Sequence, residues 1–143
     1  MQTHVAPYGS WTSPITINDL LGATVGLGAV AVDGTDLYWT ESRASDGGRV
    51  SLWRQRADGT RAELTAEHNV RSRVHEYGGG AWDVADGVVV YSDFASNRLF
   101  RLTDTGPEPI TPDDEALRFA DVRVQPERGV VLAVCEDHTA SDI

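Results

Sequence analysis

From Val25 onward, apolar and polar residues alternate with a period of two, the pattern of half-buried strands. Ala29-Val30-Ala31-Val32 runs into Asp33-Gly34, a hairpin signal, and Leu37-Tyr38-Trp39-Thr40 follows as a second strand. The Ser45 to Gly48 cluster predicts a turn into Val50-Ser51-Leu52-Trp53. Asp58-Gly59 predicts another, into a short strand from Arg61 to Thr65. Tight turns between successive strands make these four antiparallel. Residues 1–24 stand apart. Pro7-Tyr8-Gly9-Ser10-Trp11 is turn-rich, and Ile15 to Leu21 predicts about two helical turns stopped by Gly22. This lead-in segment is expected to dock on the body through Tyr8, Trp11 and Leu20.

The four-strand pattern recurs. Gly79 to Val84 predicts a first strand, Asp86-Gly87 a turn, and Val88 to Ser92 a second strand. Asn97 to Leu102 gives a third, Asp104 to Gly106 a turn, and Pro109 to Thr111 a short fourth. Leu64-Thr65 and Ile110-Thr111 close the two units alike. A third unit opens with Phe119 to Val124, turns at Pro126 to Gly129 and continues from Val130 to Cys135. Four-stranded antiparallel units repeating about every 40–55 residues are the mark of β-propeller blades. A β-sandwich with regular hairpins is the competing architecture. The expected fold is therefore all-β: a lead-in at 1–24 and an incomplete propeller at 25–143. Its blades are placed at about 25–66, 67–112 and 113–143, the last one cut short. Complete propellers have about four to eight blades, so an N-terminal fragment with open faces at both ends is expected.

Arg73-Val74-His75-Glu76-Tyr77-Gly78-Gly79-Gly80-Ala81-Trp82 gathers charge, imidazole, two aromatics and three glycines in one run. It is read as the first strand of the middle blade, its glycines marking the close approach of another backbone. Arg71, Arg73 and His75 alternate and are expected on one side. They could hold an acidic group such as a peptide carboxylate, or form a salt bridge within the chain.

Composition narrows the classes. The formal net charge is −10, which argues against nucleic-acid and anionic-membrane partners. A single cysteine, Cys135, excludes an internal disulfide and a thiolate metal cluster. No segment approaches the roughly 18 apolar residues of a membrane span. The first ten residues lack the pattern of a secretory signal, so a cytoplasmic location is expected.

Catalytic motifs are lacking in the sequence. His75-Glu76 is not a zinc-hydrolase pair, because the position four after His75 is Gly79. The glycine run has no G-x-S-x-G elbow to serve as an oxyanion loop. Asp113-Asp114-Glu115 reads as a solvated loop or helix start, and no phosphate, dinucleotide or calcium loop is found. No catalytic residue, cofactor or metal ligand is therefore assigned. Arg71, Arg73, His75 and Glu76 (with Tyr77) are candidates for polar and packing contacts between blades or domains. Trp39, Trp53, Trp82, Val90 and Phe100 are candidates for packing between blades.

These residues also resemble a family. Pro7 to Trp11 with Ser13-Pro14-Ile15-Thr16, and Asn69 to Ala81, look like the N-terminal propeller of prolyl oligopeptidase-type serine peptidases. The branch is that of acylaminoacyl peptidases and dipeptidyl aminopeptidases. Tyr38-Trp39 with Glu41 and Arg43, Gly48-Arg49, Leu117 to Asp121, and Glu136-Asp137-His138 extend the likeness along the whole chain. The resemblance implies a parent enzyme that cleaves short peptides, with a C-terminal α/β-hydrolase domain supplying serine, aspartate and histidine. The propeller would gate and select substrate, and this chain alone would be inactive. Two other readings are a stand-alone propeller-like binding module and a metal-dependent, lactonase-like propeller.

Overall fold

The computed structural model describes residues 5–22, 24–76 and 78–139. Tyr77, together with residues 1–4 of the lead-in and 140–143 of the third blade, lies outside the described residues.

The alternating segments form three antiparallel sheets in chain order. The first contains β1 (Val25–Asp33), β2 (Asp36–Arg43), β3 (Val50–Gln55) and β4 (Arg61–Glu63), hydrogen-bonded in that order. The second repeats the arrangement with β5 (Trp82–Ala85), β6 (Val88–Ser92), β7 (Leu99–Thr103) and β8 (Gly106–Pro109). The third consists of β9 (Leu117–Gln125) and β10 (Val130–Asp137). β5 lies against both β1 and β9, so the opening strands of the units are neighbours. Among the described residues the array does not close. It is a partial β-propeller.

Turn chemistry sets the hairpins. Asp86 and Gly87 both take positive φ, 49° and 75°, as a two-residue type I′ loop requires. The first two units also close by the same atoms. Thr65 Oγ1 accepts the Leu52 N–H at 2.9 Å, and Thr111 Oγ1 accepts that of Leu99 at 3.0 Å. An arginine from the preceding turn caps each threonine carbonyl, Arg49 on Thr65 and Arg98 on Thr111.

The core sits between the sheets. Tyr38 and Leu52 of the first sheet meet Trp82, Val84, Val89 and Tyr91 of the second, with Phe100 packed alongside. Val90 and Leu99 on the opposite face of the second sheet meet Val122 and Val124 of the third. Trp82, Val90 and Phe100 thus pack between blades as expected. Trp39 and Trp53 meet no other sheet among the described residues, although they hold on the first sheet the places that the stacked Tyr91 and Phe100 hold on the second. The two tryptophans stack on each other, centroids 6.4 Å apart, on the face of the first sheet that points away from the second. Arg61 and Arg43 lie over their rings.

Two local readings are corrected. The lead-in holds a single short helix, α1 (Ile17–Gly22), whose start is fixed reciprocally by Thr16 and Asp19. It does not dock through its large side chains: Tyr8 is 99% exposed, and Trp11 and Leu20 are also exposed. Tyr8 and Trp11 meet edge to face and satisfy one another locally. The glycine run is not a strand either. Positive φ at His75, Glu76 and Gly78 breaks the extended backbone, and β5 begins only at Trp82.

A polar face at the junction of three sheets

The connection 64–81 between β4 and β5 is long because it must cross from the outer strand of one sheet to the inner strand of the next. It passes over the ends of all three sheets and is pinned to each. Val50 N–H donates to Asn69 Oδ1 at 3.0 Å, and Asn69 N–H donates to Asp93 Oδ1 at 3.1 Å. Ser72 Oγ donates to the Phe119 carbonyl at 2.7 Å, reaching the third sheet. Gly80 N–H donates to Asp121 Oδ1 at 2.8 Å. The glycines do mark a close approach, as their sequence predicted. A Cβ on Gly79 would lie 2.9 Å from Cβ of Ala120, and one on Gly80 would lie 3.1 Å from Oδ1 of Asp121.

The four candidate residues divide into two groups. Arg71 and Arg73 share one partner, Phe94 in the β6–β7 turn, their guanidinium carbons 4.9 and 4.2 Å from its ring centre. The main-chain carbonyl of Arg73 accepts a hydrogen bond from Arg118 at the start of β9. His75 lies past the turn and points elsewhere. Its N–H donates to Glu136 Oε1 at 2.8 Å, and its Nδ1 lies 2.8 Å from the same oxygen. His138 Nε2 lies 3.1 Å from Glu136 Oε2. The hydrogen bond from His138, helped by the N–H and charge of His75, holds the Glu136 carboxyl below its ordinary range. Glu76 is exposed, and among the described residues it makes no ion pair. The predicted common side therefore holds for Arg71 and Arg73 but not for His75.

Sequence reading missed Phe94, Arg118 and Asp121 as parts of this face. Their only signal is contact across 20 or more positions, which no local pattern encodes. Phe119, by contrast, contributes only its carbonyl, and any residue could supply that.

Across the opposite rim, Asp33 accepts the N–H groups of Asp86 and Gly87, at 3.0 and 2.6 Å, tying the first two hairpin tips together. Between the second and third sheets lies an apolar cleft of about 600 Å³ lined by Val88, Leu99, Ile110, Phe119 and Val131. Leu99 and Arg101 of β7 and Val130 and Val131 of β10 lie on its two sides.

The fold and the sequence together find counterparts among solved structures. A puromycin hydrolase superposes with a TM-score of 0.77 at 34% identity, over 90% of this chain and 22% of its own. A Mycobacterium tuberculosis puromycin-hydrolyzing peptidase does so at 0.80 and 39% identity, over 96% of this chain and again 22% of its own. The chain resembles the N-terminal propeller region of prolyl oligopeptidase-type peptidases. It spans 22% of the length of each solved relative. No protein-family model matches the chain, and no curated protein matches it. Within this propeller region, no group of three or more metal-ligating side chains is assembled among the described residues. No helix among them is long and apolar enough to cross a membrane.

Proposed function

We propose that the chain is the opening segment of a peptidase propeller. In that role it screens substrates, so that short peptides and small amides reach catalytic groups carried by an α/β-hydrolase domain. The observation that supports this reading most strongly is the likeness to two puromycin-hydrolysing proteins at 34% and 39% identity over nearly the whole chain. Arg71, Arg73, His75 and Glu76 act in polar contacts between blades or with the neighbouring domain. Bond breaking belongs to the hydrolase domain, and the propeller contributes selection by size.

The test is a chimera in which this chain replaces its counterpart in the mycobacterial peptidase. The chimera is expected to hydrolyse puromycin and short peptide amides and to leave a long unfolded polypeptide intact, while the 143-residue chain alone cleaves neither. Hydrolysis by the chain alone, or comparable cleavage of the long polypeptide by the folded chimera, would overturn the proposal.

A further inference from the structure

The connection 64–81 contains a strained stretch that one side chain holds in place. His75 and Glu76 take positive φ, 52° and 59°, followed by Gly78 at 81°. Glycine adopts this left-handed conformation freely. For histidine and glutamate it costs free energy and persists where the surroundings impose it. Upstream, the connection is tied to the third sheet by Ser72 and by the carbonyl of Arg73, and downstream by Gly80. Between Arg73 and Gly80, among the described residues, its one hydrogen-bonding partner in that sheet is Glu136, near the end of β10. The other oxygen of the same carboxylate engages His138, from the chain just beyond β10.

One carboxylate thus joins two imidazoles from separate segments. The other charged or titratable groups around it are placed differently. Arg118 stands opposite Glu136 on β9 and donates to the Arg73 carbonyl. Asp137 accepts from Thr139, Asp121 accepts from Gly80, and Glu76 is exposed. Burial pushes the neighbouring Cys135 thiol up. Within this set, histidine is the residue type whose charge changes near neutrality. The Glu136 carboxyl, held below its ordinary range by His138 and then by His75, is still ionised when the histidines are charged. We infer that His75, Glu136 and His138 form a proton-operated clasp. Charging the imidazoles draws the 75–78 turn onto the end of the third sheet, and discharging them lets the turn relax from its left-handed conformation. The main-chain N–H of His75 donates to Glu136 in either state, so the clasp loosens without letting go. Protonation of Glu136 itself undoes it, so the clasp is tightest on the acid side of neutrality.

The test is amide hydrogen exchange of the ¹⁵N-labelled chain at pH 5.5 and pH 8, each rate divided by its intrinsic value at that pH. Protection of the His75 amide should be about two- to fivefold higher at pH 5.5, the range of an exposed ion pair, while the amides of β6 keep theirs. Glu136→Gln should lower His75 protection at pH 5.5 and abolish its pH dependence. His138→Gln keeps a neutral donor outside the turn, and it should still reduce the dependence at His75. That effect separates a shared proton-sensitive carboxylate from a merely structural contact. If Glu136→Gln fails to fold, His138→Gln decides alone, since His138 is exposed. Equal His75 protection at the two pH values, or an undiminished dependence in His138→Gln, would overturn the inference.

Discussion

Gly79 shows how a single missing side chain is read. Its backbone lies so close to Ala120 that a methyl group would collide with another methyl group on a β-strand, where neither can rotate away. Gly79→Ala is expected to lower stability by about 1–3 kcal/mol, as overpacking does, measured by urea denaturation. An unchanged midpoint would show that β9 can move aside. Tyr91 makes the opposite case. Its ring is fully buried, its hydroxyl has no partner, and burial beside Asp93 raises its ionisation well above that of an ordinary phenol. Tyr91→Phe should therefore be neutral or stabilising in the same measurement. The Glu136 carboxylate, bracketed by His75 and His138 and facing Arg118 across the strand pair, has a lowered pKa. A carboxyl with a depressed folded pKa adds stability that is complete above its unfolded value and is lost as pH falls through the folded one. Melting curves between about pH 3 and 6 should show the parent losing stability relative to Glu136→Gln on acidification. Parallel curves would remove Glu136 from the account. At this scale the glycine run was legible, because three glycines between aromatics have few other uses. The Arg71–Arg73–Phe94 cluster was not, since Phe94 lies more than 20 positions away and has the appearance of an ordinary turn aromatic.

Hairpins were the most readable elements. Asp-Gly pairs between alternating segments demand positive φ, and the structure supplies it at Asp86-Gly87. The shared ending Leu64-Thr65 and Ile110-Thr111 announced the repeat, and its cause is atomic: each threonine hydroxyl accepts a buried strand N–H. Thr65→Val would orphan the Leu52 N–H inside the core at unchanged volume. The expected loss is about 1–3 kcal/mol by denaturant titration, and a loss near zero would mean the strand end frays to reach water. Two elements were misread for physical reasons. The lead-in has aromatic residues that satisfy each other and so need no docking site. The glycine run resembles a strand in composition, but the connection must turn over three sheet ends, and positive φ at His75 and Glu76 wins over alternation.

For the molecule as a whole, the decisive property is that its outer faces are built like inner ones. Leu27, Val30 and Val32 on β1 and Val130, Leu132 and Val134 on β10 are exposed, in the positions that face a neighbour elsewhere in the array. Exposed apolar strands with unpaired edges invite association. The chain in isolation should self-associate, and Val30→Lys with Leu132→Lys should shift it towards monomer in sedimentation analysis. The repeat length made the propeller legible from sequence. The direction each sheet faces was not, because alternation gives two faces without saying which one meets a neighbour. Trp39 and Trp53 lie on the same face as Val30, which no other described sheet covers.

Hydrogen exchange along β10 tests the partial-propeller account most directly. The amides of residues 130–137 that point away from β9 have no strand partner among the described residues, whereas β6 is paired on both sides. Measured in the isolated chain and in the chimera with the mycobacterial peptidase, β6 should be protected in both. The outward amides of β10 should exchange rapidly in the isolated chain and become protected in the chimera, where further strands cover them. Equal protection of β10 in a monomeric isolated chain would contradict the account, for the array would then be complete without neighbours.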